Sequence, residues 1–388
     1  MQWNLEHLMT TPAAGKAEAF DYQQDVQPVF YDCGTWKNRS VKAFAWIGFP
    51  KMREGEKCPG IVLVHGGGGT AFPDWVRLWN ARGYAAIAMD TCGGVPCWHE
   101  TPHGRPQWPR HAFSGPAGWG MFPEASLPPE EQWPYQAVAT VIAGHSLLRS
   151  FPQVDAGRIG ITGVSWGGVL ACMAAGLDPR LAFAAPVYGC GFLNLSCLWN
   201  PEDVQQHSGA CEAWLRLWDP ALYLRTAKSP FLWLTGTNDA AFPFDTTFRS
   251  AQITAGKSSF ALIVRMPHGH GGPGEKPEEI HNFANAVTGH GMFLPPPEMA
   301  PPRINNGKVM AGFAVAAGGE NFDRAELIYT TGSGAYKERL WQQQPAEITP
   351  AAGSLQADIP AEMTVLYFNL FSKSGLTFSS SPLFKERR

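Results

Sequence analysis

The apolar positions change period along the chain, and each change marks an element. Residues 26–31 and 41–49 alternate apolar and polar side chains, the period of two that sends neighbours to opposite faces of a strand. They predict two antiparallel strands leading into a sheet. The runs at 60–64, 84–89, 159–163, 181–187, 230–235 and 259–264 are apolar without alternation. Such runs predict strands covered on both faces, as in a parallel sheet. Between them lie segments of helical spacing, at 72–82 with Trp75, Leu78 and Trp79 on one side, at 131–151, and at 277–289. After residue 165, Val169, Leu170, Met173, Ala174 and Leu177 also fall on one helical face. Strand, helix and strand in turn predict an α/β architecture with a mostly parallel sheet flanked by helices.

The pattern shifts near residue 294. Leu294-Pro-Pro-Pro-Glu-Met-Ala-Pro-Pro reads as a stiff linker, and beyond it apolar runs at 309–317, 325–331, 356–359 and 364–371 are separated by turns with no helical stretch. A small C-terminal all-β sandwich of immunoglobulin or fibronectin type is the natural expectation. At 388 residues the chain exceeds what one core usually organises. The expected organisation is therefore 1–294 as a catalytic domain, 295–302 as linker and 303–388 as the β domain, whose expected role is structural support rather than glycan binding.

Two stretches break the alternation. Residues 91–129 are rich in Pro, Gly, Trp and His without periodicity, and so long a loop inside a compact domain is usually functional. Its Trp98, Trp108 and Trp119 suggest an ordered loop forming part of a pocket wall. Residues 192–226 have helical tendency and stand between two central strands, where a cap over a site would lie.

The candidate chemistry sits in turns that follow the apolar strands. Gly163, Ser165 and Gly167 spell G-x-S-x-G between a strand and a helix. A serine at the apex of such a turn is strained, and neighbours lacking side chains let strand and helix close around it. Its hydroxyl is then presented outward, and the Trp166 N–H points toward the helix N-terminus, where negative charge is favoured. The run at 60–64 ends in His65 and four glycines. No Gly-Lys-Ser/Thr ending follows, so a phosphate loop is excluded, and the bare backbone suits an oxyanion contact. His65 itself reads as an anchor for that loop. Asp239 follows the strand at 230–235, with Asp245 as the fallback acid, and His268 and His270 follow the next strand. Ligands of such sheets bind at the carboxyl ends of the strands, where all these residues fall.

Serine, acid and histidine in that order match the α/β-hydrolases. Residues 25–293 resemble that superfamily, with Gly163-Val-Ser-Trp-Gly as the nucleophile turn. His65-Gly-Gly-Gly-Gly, Gly236-Thr-Asn-Asp and Met266-Pro-His-Gly-His further resemble the acetyl xylan esterase and dienelactone hydrolase-like branch. The resemblance implies a serine carboxylesterase acting through an acyl-enzyme, with acetyl esters of plant polysaccharide fragments as substrates. It implies Ser165 as nucleophile, Asp239 as the orienting acid and His270 as the base, because relatives often place a glycine just before the catalytic histidine. His268 is the alternative base, and the N–H groups of Gly67 and Trp166 form the oxyanion hole. No cofactor is implied. A prolyl oligopeptidase-like peptidase shares fold and residue order, but no large propeller-like region precedes the hydrolase pattern; a non-catalytic binding protein on the same fold is the third reading.

Composition narrows the partners. A formal net charge of −3 with 16% charged residues gives no reason to expect nucleic acid, and no apolar run is long enough to span a bilayer. The expected partner is a small-molecule or oligosaccharide ester. His99, His103 and His111 lack the carboxylate or cysteine pattern of a metal site, so none is expected. The eight cysteines have no zinc-like spacing and read as buried thiols, Cys92 and Cys97 being the one pair spaced for a disulfide or metal. Residues 1–15 show no signal-peptide pattern, which suggests a cytoplasmic protein, or a secreted one whose leader has been removed.

Overall fold

Six apolar runs become the inner strands of one sheet. The computed structural model describes residues 3–21, 25–96, 108–118, 122–315 and 322–385. In the N-terminal region the strands are β1 (Gln27–Trp36), β2 (Arg39–Gly48), β3 (Cys58–Val64), β4 (Ala85–Met89), β5 (Val154–Val164), β6 (Ala184–Val187), β7 (Phe231–Gly236) and β8 (Ser258–Ile263). Their order across the sheet is β1, β2, β4, β3, β5, β6, β7, β8. The first two pairings are antiparallel and the rest parallel. Every residue of β3, β4, β6 and β7 is buried, as unalternating apolar runs require.

Helices cover both faces. The longer ones are α1 (Pro73–Ala81), α2 (Trp133–Arg149), α3 (Trp166–Leu177), α4 (Ser208–Trp218), α5 (Phe244–Ile253) and α6 (Glu278–Thr288). The chain leaves β3 through α1 to reach β4 on one side, and leaves β5 through α3 to reach β6 on the other. The winding direction therefore reverses between β3 and β5. That is where a doubly wound sheet opens a crevice beyond its strand ends. The glycine-rich loop and Ser165 occupy these two strand ends.

The C-terminal region is antiparallel. β9 (Glu298–Met299), β10 (Arg303–Asn305), β11 (Lys308–Ala314) and β14 (Ser354–Asp358) make one layer; β12 (Phe322–Thr330), β15 (Val365–Ser372), β16 (Thr377–Ser379) and β17 (Leu383–Phe384) make the other. β13 (Gln342–Thr349) pairs with both layers. Phe313 and Leu355 from one layer and Leu327, Leu366 and Phe368 from the other share one buried cluster, which makes a β-sandwich.

The two regions are continuous. β16 pairs antiparallel with β8 through Ser379 and Phe260, so the N-terminal sheet runs on into the sandwich. A second apolar cluster, with Phe244, Phe248 and Leu262 on one side and Ile328, Trp341, Val365 and Tyr367 on the other, closes the seam. The proline-rich segment is part of this packing rather than a free tether, since Glu298 and Met299 pair with Ala314 and Phe313 and Leu294 packs on the sandwich core.

Candidate active site

The turn around Ser165 is strained, and the sequence shows why it can be. Ser165 has φ 58° and ψ −117°, backbone that side-chain-bearing residues rarely adopt. A Cβ at Gly163 would overlap the Gly167 carbonyl oxygen, and one at Gly167 would overlap that of Val64. Only glycine lets α3 start this close to β3 and β5. Ser165 donates its backbone N–H to the Val187 carbonyl at 2.9 Å, and its own carbonyl accepts the first bond of α3, from Val169, at 3.0 Å. Its Oγ makes no hydrogen bond with the described residues, so the hydroxyl is held only by the backbone beneath it.

Opposite it, the glycine loop is pinned from below. His65 is buried; its Nε2 accepts the Thr91 N–H at 3.0 Å, which leaves Nδ1–H to donate to the Gly66 carbonyl at 2.8 Å. Burial pushes its pKa down, so it stays neutral, as an anchor should. Thr70, at the end of the loop, donates to Asp90 at 2.7 Å, and Trp108 donates its indole N–H to the Gly68 carbonyl at 3.0 Å. Trp108 is thus a wall residue of the loop; Trp98, Trp119, His99, His103 and Cys97 lie outside the described residues. Gly67 is exposed, and the only atom a Cβ there would approach is Trp166 Cδ1, at 3.3 Å. The Gly67 backbone therefore borders the Trp166 indole. Trp166 packs edge-on against Trp133 at 5.6 Å and Trp214 at 6.3 Å, the latter on α4. The 192–226 insertion thus leans on the residue after Ser165.

The two histidines are each given a carboxylate. His268 Nδ1 lies 2.7 Å from Asp239 Oδ2, and Asp239 is buried, with Oδ1 accepting the N–H groups of Ala241 at 2.9 Å and Phe242 at 2.7 Å. With Nδ1–H donated to Asp239, His268 carries its lone pair on Nε2, which makes no hydrogen bond with the described residues. His270 Nδ1 instead lies 2.9 Å from Glu275, on the one-turn helix Gly272–Glu275, and its Nε2 accepts the Gly66 N–H at 2.8 Å. The expected pairing of Asp239 with His270 is not formed. A side chain at 270 comes off the loop two residues beyond the one facing Asp239, and Glu275 takes it. Asp245, the fallback acid, is on α5 in an ion pair with Arg249 at 3.3 Å.

Tyr188 and Glu275 were not legible as site residues. Tyr188 follows β6 with φ 32°, its ring is 4.3 Å from that of His268, and its hydroxyl donates to the Gly269 carbonyl and accepts the Gly269 N–H at 3.2 Å. Burial pushes its pKa up to about 12, so it remains a donor. It grips the peptide between the two histidines. The signal for Glu275 was a carboxylate five residues after His270 in a glycine-rich turn. Both ring nitrogens of His111 lack partners, its ring packs against Phe30 at 4.9 Å, and no group of three possible metal ligands occurs among the described residues. Seven described cysteines are free thiols. Among the described residues no helix is long and apolar enough to cross a membrane.

Of solved structures, an acetyl xylan esterase from Paenibacillus sp. R4 is similar with TM-score 0.57 and 22% identity, over 73% of this chain and 92% of that one. Acetyl xylan esterase 1 from Thermoanaerobacterium sp. JW/SL YS485 is similar with TM-score 0.53 and 16% identity, over the same 73% and 92%. Among curated proteins, the acylamino-acid-releasing enzyme of Sus scrofa is 22% identical over 253 residues, which is 60% of this chain but 31% of that protein. Likeness at this level shows the α/β-hydrolase fold. Residues 3–220 match the acetyl xylan esterase family, more than half of the chain, with the glycine loop, Ser165 and the Trp166 wall inside the match. With that match spanning both sides of the crevice, the chain belongs to the acetyl xylan esterase family of α/β-hydrolases.

Proposed function

We propose that the protein is a serine esterase that removes small acyl groups, acetyl foremost, from the hydroxyls of saccharides. Ser165 is the nucleophile, His268 the base and Asp239 the acid that orients it. The observation that carries this reading is the 2.7 Å contact of Asp239 with His268 Nδ1, which leaves Nε2 of that histidine as the acceptor for a proton. His268 takes the Ser165 proton as Oγ attacks the ester carbonyl. The anion formed is met by the Gly67 and Trp166 N–H groups, each such donor being worth about 3–4 kcal/mol in the transition state. His268 then returns the proton to the departing alcohol, and water repeats the sequence to free the acid. Catalytic hydrogen bonds of free enzymes commonly tighten only with substrate bound, which accords with an unbonded Ser165 Oγ. The tryptophans lining the Trp166 side favour a small acyl group and supply apolar faces for a sugar ring. The test compares release of acetate from acetylated xylo-oligosaccharides with cleavage of p-nitrophenyl acetate, in wild type and Ser165→Ala. Loss of both activities in the variant is expected; retention of either ends the proposal.

The likeness to the Sus scrofa acylamino-acid-releasing enzyme supports a second reading, cleavage of acylated amino acids. Acyl-peptide anilides assayed beside the acetate esters separate the two, and faster turnover of the amides would favour the second.

A further inference from the structure

We propose that Asn238 is a positioning residue through which the C-terminal sandwich sets the Asp239 carboxylate against His268; the inference rests on the reading of Asp239 and His268 given above. The Asn238 amide nitrogen donates across the seam to three carbonyls of one turn, those of Tyr336 at 3.1 Å, Lys337 at 3.2 Å and Arg339 at 2.9 Å. Two hydrogens shared among three acceptors fix which way the amide faces. Its oxygen accordingly accepts from the Thr237 hydroxyl at 2.9 Å, and that same hydroxyl oxygen accepts the Arg265 N–H at 3.0 Å. Arg265 has φ 54° and opens the turn that delivers His268. One chain of hydrogen bonds therefore runs from the sandwich to the acid loop and on to the histidine loop. It spans the two segments whose spacing sets the Asp239 to His268 distance.

The turn that Asn238 grips is itself fixed. Phe244 of the hydrolase packs on Tyr336 at 5.9 Å and on Trp341 at 4.9 Å, and Arg339 lies 3.8 Å over the Tyr336 ring while donating to the Gly334 carbonyl at 2.8 Å. The carboxylate has little freedom of its own, since Ala241 and Phe242 hold Oδ1 from within the same loop. Its placement is the placement of the loop, and a displacement of about 1 Å at a catalytic group can cost up to 100-fold in rate.

The experiment uses the full chain with Asn238→Ala, and Ser379→Ala as a seam variant remote from the acid loop. Ser379 bonds the Leu262 N–H at 2.9 Å and Asn369 at 2.6 Å where the sheets join. Melting temperature, kcat and KM on p-nitrophenyl acetate, and the rate of fluorophosphonate labelling are measured. Both variants are expected to melt earlier. Only Asn238→Ala is expected to lower kcat, about tenfold at nearly constant KM, and to slow labelling in proportion. If it keeps kcat within about twofold while melting earlier, or if Ser379→Ala loses as much kcat, the inference is overturned and the seam is structural only. Asn238→Asp, which keeps the acceptor for Thr237 but turns the donors toward the three carbonyls into acceptors, reads the same way should the alanine variant not fold. Asp239→Asn separates the two claims. An active Asp239→Asn overturns the reading of the site and the inference with it, whereas an inactive Asp239→Asn beside an unimpaired Asn238→Ala overturns the inference alone.

Discussion

Helix α3 carries a histidine–aspartate pair near each end, and the two ends are put to opposite uses. Ser165 opens the helix at its N-terminus, and Asp239 and His268, the proposed partners of Ser165, are joined at 2.7 Å. At its C-terminus Asp178 caps the helix and meets His145 of α2 at 2.8 Å. The bond is the same; the surroundings are not. The side chains of His145 and Asp178 are both 1% exposed, His145 Nε2 has no partner, and Arg180 binds both carboxylate oxygens. Arg180 reaches on to the Met9 carbonyl at 2.7 Å and Ser146 at 2.8 Å, so the pair fastens the N-terminal segment to the body. The His268 side chain is 26% exposed, and that of Asp239 is fully buried. A histidine bonded to an aspartate is thus no mark of catalysis by itself; what its second nitrogen faces decides.

The contrast is broken most severely at the open pair. Asp239→Asn leaves shape intact but lets His268 turn or change tautomer, and should cut kcat by about 10⁴ with melting little changed. Removing Asp178 should do the reverse. Asp178→Ala strips Arg180 and His145 of their partner and should cost about 3–5 kcal/mol of stability by urea denaturation, while kcat of the folded fraction stays near wild type. If Asp178→Ala lost activity in proportion while staying folded, the division of labour between the two helix ends would be wrong.

How much of this could be read from the chain follows the same line between local and distant contacts. The unalternating strands, the glycine turn at Ser165 and the glycine loop were legible because each leaves a local pattern: the apolar run by burial on two faces, and the turn by the G-x-S-x-G spacing, in which Gly163 makes room for Gly167 although Gly167 itself makes room for the distant Val64 carbonyl. β13 was not, because Gln342-Gln-Gln-Pro-Ala-Glu-Ile-Thr is polar and half exposed, with no apolar run to mark it. α5 was missed for its mixed composition. The histidines show the limit most sharply. His268 and His270 stand one glycine apart, and nothing nearby says which one faces Asp239, 29 residues before the first; the answer lies in Tyr188, which clamps Gly269 from 81 residues away.

A subtler break tests the second histidine of the rim. His270 accepts the Gly66 N–H, so its Nδ1–H must go to Glu275, and a glutamine there can still accept that hydrogen while losing the charge. Glu275→Gln should therefore lower kcat/KM by only about threefold, the loss of one charge-assisted component, against the far larger loss at Asp239. A drop as large as that of Asp239→Asn would make His270 and Glu275 the working pair. His270→Ala beside His268→Ala gives the same answer independently, with the larger loss expected at His268.

The smallest effect comes from protons at the closed end of α3. Burial pushes the His145 pKa down, with Arg180 and Arg149 opposing its charge and Asp178 only partly offsetting them. Burial alone would raise the Asp178 pKa, yet its bonds to Arg180 and His145 hold it well below the ordinary 3.8. Both signs point one way. Below about pH 6.5 the unfolded chain protonates this histidine while the folded one resists, and below about pH 3.8 the unfolded chain protonates the aspartate first. The unfolded state thus binds more protons in each window, and stability falls as the pH falls. Other buried histidines, His65 among them, add to the first window, so the measurement is a difference. The urea midpoint of wild type should drop between pH 7 and pH 5 by more than that of His145→Gln, whose amide can still donate to Asp178 but takes up no proton. Equal slopes would show that His145 takes up its proton as readily in the folded protein as in the unfolded chain, and that the closed pair differs from the open one in access alone.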